Sequence, residues 1–124
     1  MQPRELDKQA AIEEHHWWFR ARRRLLKSGF KFSLKRTQAE ILEIGAASGG
    51  NYSVCRQFGN YHALDLSTYA LDICRRKGIV NRIHSDACSI PRDAKSFDVV
   101  VAFDILEHIE EDQKALEEIF RVLK

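Results

Sequence analysis

Residues 97–103 read Phe-Asp-Val-Val-Val-Ala-Phe, and this stretch constrains the fold more than any other. It has the length of one strand and is apolar almost throughout. An amphipathic strand alternates, so a continuous run of this kind belongs to a strand covered on both faces, as in a parallel sheet flanked by helices. Three shorter strand candidates precede it, at 40–44, 61–64 and 80–84. Helix candidates fall between and after them at 51–58, at 69–77 (closed by Gly78) and at about 110–123. In the last, Leu116, Ile119, Phe120 and Leu123 recur at helical spacing and predict one buried stripe. Strands alternating with helices predict a doubly wound parallel α/β sheet. Ahead of it, 4–27 reads as a single N-terminal helix, opened by Pro3 and ended by Gly29, with an irregular basic connection over 30–38. The division is therefore 1–37 for the helix and connection and 38–124 for the α/β domain.

The α/β pattern is incomplete on its C-terminal side. Strand 97–103 is too apolar to lie at an edge with one side unpaired. The expectation is a fragment of a longer domain, or a homodimer or partner chain that covers the gap. With 124 residues, 44% hydrophobic and 31% charged, the chain is an ordinary single globular domain. No apolar run approaches the roughly 20 residues of a membrane span, and the first residues, MQPRELDKQAAIEE, are polar where a secretory leader is apolar. A cytoplasmic location is the default expectation, with no membrane partner. Cys55, Cys74 and Cys88 have no metal-like spacing and read as reduced, partly buried thiols.

The net charge of +2 is unevenly spread. Eight basic residues and no acid lie between Arg20 and Arg36, whereas 86–118 holds ten acids against three lysines and arginines. The basic block suits an anionic partner. A solvated helix face plus connection explains it as well and is the preferred reading, and a nucleic-acid partner is not expected.

In a doubly wound sheet, ligands bind beyond the carboxyl ends of the strands where the strand order reverses. Four loops are placed to contribute. The first, Glu43-Ile44-Gly45-Ala46-Ala47-Ser48-Gly49-Gly50, turns a strand into a helix through small residues, so that backbone can approach a ligand closely at Gly45 and Gly49. The second carries Asp65, 22 residues after Glu43, where an acid can accept hydrogen bonds from both hydroxyls of a ribose. A cap on the turn at Ser67-Thr68 is the alternative role for Asp65. The third holds Asp86, able to accept from an exocyclic amine of a base, and Ala87, which leaves a ring room. The fourth is Phe103-Asp104-Ile105-Leu106-Glu107-His108. There Asp104 and Glu107 have capping-box-like spacing, and His108 is either close to the reacting end of a ligand or an ordinary surface histidine.

ILEIGAASGGN, ALDLS and HSDACSIPRDAKSFDVVVAFDILEHIEE, in this order, resemble the class I S-adenosylmethionine-dependent methyltransferases, specifically the small-molecule methyltransferase group. The resemblance runs from about Gln38 to the end of the chain, and HHWWFRARRRLL is similar to the N-terminal helix of one subgroup. It implies a Rossmann-like fold, S-adenosyl-L-methionine as cofactor and a small-molecule methyl acceptor. By resemblance, Glu43, Gly45, Ala46 and Gly49 shape the methionine and ribose pocket. Asp65 holds the ribose, Leu66 lies against the adenine, and Asp86 and Ala87 meet its edge. Phe103 and Asp104 line the sulfonium end, His108 is the one candidate base, and Trp18, Phe19 and Arg20 form a lid. Two departures stand out. Ala47 occupies a position where the family usually has glycine, and alanine there costs on the order of 1 kcal/mol if φ is positive. The family sheet also has three further strands, which carry much of the substrate pocket. A cofactor-binding or interaction module without catalysis is the alternative. A nicotinamide oxidoreductase fits poorly, because Gly45-Ala46-Ala47-Ser48-Gly49 departs from G-x-G-x-x-G.

Overall fold

The computed structural model describes residues 1–34 and 38–124. Its elements are α1 (Pro3–Ile12), α2 (Trp17–Ser33), β1 (Ala39–Ile44), α3 (Tyr52–Cys55), β2 (Gly59–Asp65), α4 (Thr68–Arg76), β3 (Asn81–His84), β4 (Val99–Val101), a 3-10 turn at Leu106–His108, and α5 (Asp112–Val122). The four strands form one parallel sheet in the order β3-β2-β1-β4. The order reverses between β1 and β4, so their carboxyl ends diverge into a crevice.

Alternate residues of β1 feed two cores. Ile41 packs on one face with Leu26, Phe30, Val54 and Tyr61. Leu42 and Ile44 pack on the other with Leu64, Ile83, Phe97 and Val122. A strand buried on both sides has no solvent face, which is why β1 carries an apolar run and why Glu43, in its midst, needs partners.

The N-terminal region departs from the expected single helix. The chain breaks at Glu13–His16, where the His16 side chain accepts a hydrogen bond from the Trp18 amide (3.3 Å) and starts a second helix. The reason is packing. α1 buries Leu6 against Ala70 and Ile73 of α4, whereas α2 buries Leu26 and Phe30 against the sheet and α3, and one straight helix cannot reach both. Gly29 does not end α2. It is exposed with open space around it, and burial of Phe30 carries the helix to Ser33. The expected irregular connection therefore begins later, and its residues Lys35, Arg36 and Thr37 lie outside the described residues.

β4 is shorter than the apolar run and sits at the sheet edge, paired on one side to β1. α3 is a single turn, not the eight-residue helix expected. The stripe of α5 is also displaced: Ala115 and Val122 are buried, while Leu116 and Phe120 are exposed. Small Ala115 lets the helix close on Phe97 and Ile90, and that contact sets its rotation. Cys55 and Cys74 are buried and all three cysteines are free. Burial pushes both of those thiols up, so they are protonated and inert.

Candidate functional site

A cleft of about 650 Å³ opens where β1, β2 and β4 end, with α1 and the start of α2 as its cover. Its floor is the loop after β1. Three of its residues, Gly45 (φ 69°), Ala47 (φ 49°) and Gly49 (φ 73°), have left-handed backbone. Such a path turns amides inward within few residues, and side chains resist it. A Cβ on Gly45 would come within 3.0 Å of Ile105, so this glycine admits the fourth loop. Gly49 serves packing instead: a Cβ there would stand 2.8 Å from Ile79, on the side away from the cleft. Ala47 occupies its left-handed position without glycine's freedom.

Asp65 fixes this floor. Its two carboxylate oxygens accept from the Ala47 amide and from the Ser67 amide, each at 2.9 Å. One side chain thus ties the first loop to the second while lining the cleft. The alternative role as helix cap belongs to Ser67, whose hydroxyl accepts from the Ala70 amide.

Glu43 is buried beneath the floor. The Tyr61 hydroxyl and the Asn51 side-chain amide each donate to it at 2.6 Å. Burial raises its pKa from 4.5 to about 7, against the lowering effect of those two hydrogen bonds. The partners hold the Asn51 loop to β1, so Glu43 braces the site from within.

On the far wall, Asp104 (φ 53°) does not cap the following helix as its spacing with Glu107 suggested. α5 begins only at Asp112, and the Asp104 carboxylate accepts instead from Arg22 Nη1 at 2.9 Å. The Arg22 guanidinium lies 5.3 Å from the Phe19 ring centre and 5.5 Å from that of Phe103. Its Nε is buried and has no hydrogen-bond partner. A buried donor left unpaired is costly, and the Arg22 side chain lines the cleft. His108, at the rim, is exposed and lies 3.9 Å from Glu107.

Of the candidate residues, Glu43, Gly45, Ala46, Asp65, Phe103, Asp104 and His108 converge on this cleft, and Gly49, Leu66, Asp86 and Ala87 do not line it. Leu66 is exposed, and its carbonyl lies 2.9 Å from His84 Nε2. Ala87 belongs to the second core, and Asp86 accepts from the Cys88 amide. From the expected lid, Trp18 and Phe19 line the cleft, but Arg22 takes the place assigned to Arg20. Arg22, Asn51, Tyr61 and the α1 residues Glu5 and Gln9 were not singled out from sequence. The run of arginines was the one signal for Arg22, and charge alone does not choose among them.

The cover is fastened to the floor. Glu13, at the end of α1, is buried and accepts from both Ser48 and Lys77. Gln9 donates to the Ser48 hydroxyl at 3.0 Å, and the Tyr69 hydroxyl donates to Asp7. Among the described residues, no group of three or more His, Cys, Asp or Glu is placed to hold a metal ion.

Residues 42–124 match the family model described as a methyltransferase domain. A demethylmenaquinone methyltransferase of Clavibacter sepedonicus is 34% identical over 89 residues, which is 68% of this chain and 36% of that protein. Among solved structures, a Methanococcus maripaludis chain assigned as an S-adenosyl-L-methionine-dependent methyltransferase superposes with a TM-score of 0.85 at 18% identity, covering 99% of this chain and 59% of the other. The [4+2]-cyclase SpnF superposes with a TM-score of 0.72 at 26% identity, covering 89% and 44%. The chain thus spans about a third of that curated relative and about half of these solved chains. Strand order, crevice and family match agree, and the chain belongs to the methyltransferase domain family.

Proposed function

We propose that this chain binds S-adenosyl-L-methionine in the cleft at the β1–β4 switch point and forms the cofactor half of a methyltransferase acting on a small molecule. The observation that carries the reading is Asp65, which lines the cleft at the end of β2 and pins the left-handed loop after β1. The residues present fit the cofactor. The cleft volume lies within the range of small-molecule sites, roughly 300–1,000 Å³. Asp65 has lone pairs left for the ribose hydroxyls, and the Arg22 guanidinium, on the cleft wall, is a cation for the carboxylate. Phe19 and Phe103 supply ring faces near the cationic end. Gly45 and Ala46 offer backbone close to the methionine, while Leu66 and Asp86, exposed beyond the enclosed part of the cleft, would meet the adenine, with Ala87 buried beneath them.

The bound cofactor supplies an activated methyl group, and the protein's contribution is alignment and exclusion of water. α1 and the start of α2 exclude water from above. Asp104 holds Arg22 in place, and His108 at the rim is the candidate to take a proton from an acceptor, provided the acceptor must lose one. Residues 38–124 carry the binding unit, and α1 with the start of α2 covers it.

The test is calorimetric titration of the chain with S-adenosyl-L-methionine and, separately, NAD. Binding of the first and not the second is expected, with Asp65→Ala weakening it at least tenfold. Heat with NAD alone overturns the reading. A second reading, a cofactor-binding module that transfers no methyl group, is favoured by the similarity to a protein named as a cyclase. Tight S-adenosylhomocysteine binding with no methyl transfer to any acceptor would select it.

A further inference from the structure

The outer face of α2 carries a pattern that the cleft does not use. A helix packed on one side normally turns polar residues to solvent. Here Trp17, Ala21, Leu25 and Phe32 fall at i, i+4, i+8 and i+15, on one side of the helix. Trp17, Leu25 and Phe32 are 70%, 73% and 96% exposed. They face away from the buried Leu26 and Phe30. Beside this apolar strip runs a basic one: Arg20, Arg24, Lys27 and Lys31, at i, i+4, i+7 and i+11. None of these four is in an ion pair among the described residues, and α2 contains no acid.

We propose that this face of α2 docks on an anionic membrane surface, with Trp17, Leu25 and Phe32 entering the headgroup boundary and the four cations resting on acidic headgroups. The two adjoining strips select this occupant. An interfacial helix requires aromatic and aliphatic side chains next to lysine and arginine, whereas a nucleic acid uses the cations and leaves Leu25 and Phe32 in water. A second copy of the same face would bring cation against cation. Among the described residues no helix is long and apolar enough to cross a membrane, so α2 would lie on the surface. Such surface contact goes beyond the expectation of no membrane partner. Trp18, half exposed and also lining the cleft, places the docked face beside the cleft mouth.

The test is co-sedimentation of the full chain with vesicles of phosphatidylcholine alone or mixed with phosphatidylglycerol, at low and high salt. Expected are pelleting with the anionic vesicles at low salt, a blue shift of tryptophan emission, and at least tenfold weaker partition for both Arg20→Glu/Arg24→Glu and Leu25→Ser/Phe32→Ser. All four positions are exposed, and circular dichroism confirms that the variants fold. No pelleting with anionic vesicles overturns the proposal. So does pelleting that Leu25→Ser/Phe32→Ser leaves unchanged, because that is adsorption by charge alone. Association in the absence of lipid that the same variant abolishes assigns the face to another copy of the chain. Binding of an oligonucleotide in preference to vesicles assigns it to nucleic acid, and either result refutes membrane docking. None of these outcomes depends on cofactor binding, so the two readings fail separately.

Discussion

Glu43→Gln should remove one large pH dependence from the stability of this protein. Glu43 is buried between Tyr61 and Asn51, and its pKa rises from 4.5 to about 7, chiefly through burial. The unfolded chain releases this proton near pH 4.5, while the folded protein holds it until about pH 7. Stability therefore falls as pH rises through that interval and levels off above it. A shift of this size corresponds to about 3 kcal/mol at roughly 1.4 kcal/mol per unit. Glutamine keeps the oxygen that accepts from Tyr61, and rotation of the Asn51 amide gives its new NH₂ an acceptor. Urea unfolding followed by far-ultraviolet circular dichroism, from about pH 5 to about pH 8, measures the effect. The other titrating groups are common to both proteins, so their difference isolates Glu43. The variant should exceed the wild type by under about 1 kcal/mol near pH 5 and by about 3 kcal/mol at pH 8. A difference that does not change with pH would refute the argument, since Glu43 would then be no harder to ionise folded than unfolded.

Two other stability changes follow from the site. Ala47→Gly removes a left-handed alanine that costs about 1–2 kcal/mol, but adds about 0.4–1 kcal/mol of unfolded-state entropy and gives up about 0.8 kcal/mol of methyl packing on Leu6, Ala70 and Ile73, so urea midpoints should move by less than about 1 kcal/mol. A loss well beyond about 1 kcal/mol would mean that the left-handed backbone costs the alanine nothing here. Glu13→Ala leaves Lys77 and Ser48 without their buried acceptor and should cost about 3 kcal/mol, at the low end for buried pairs because Lys77 reaches solvent. It should also raise hydrogen exchange in α1 before the sheet, and uniform exchange would show that Leu6, Gln9 and Asp7 hold α1 without Glu13.

Much of this architecture was legible because the sheet follows simple rules. The apolar runs at β1 and β4 and the helices between them required a parallel sheet, and Asp65 announced itself by its distance from Glu43. What escaped sequence reasoning depends on tertiary contacts. Glu13 looks like a surface acid of a long helix until Lys77 is brought to it across 64 positions. Arg22 differs from its neighbours in the arginine run only through Phe19, Phe103 and Asp104, which lie on other turns and loops. Helical spacing placed Leu116 and Phe120 inside, but the small side chain of Ala115 decided which way α5 turned. Asp104 and Glu107 had the spacing of a cap, and the pull of Arg22 on Asp104 overrode it.

The central claim is that Asp65 and the left-handed loop it pins make a cofactor site. Calorimetric titration of the wild type and Asp65→Asn with S-adenosyl-L-methionine tests it most directly. Asparagine keeps one acceptor for the loop amides but loses a charged acceptor for the ribose. The wild type should bind with one-to-one stoichiometry, and the variant should fold with at least tenfold weaker affinity. Absence of heat with folded wild-type protein, or an affinity that Asp65→Asn leaves unchanged, would contradict it.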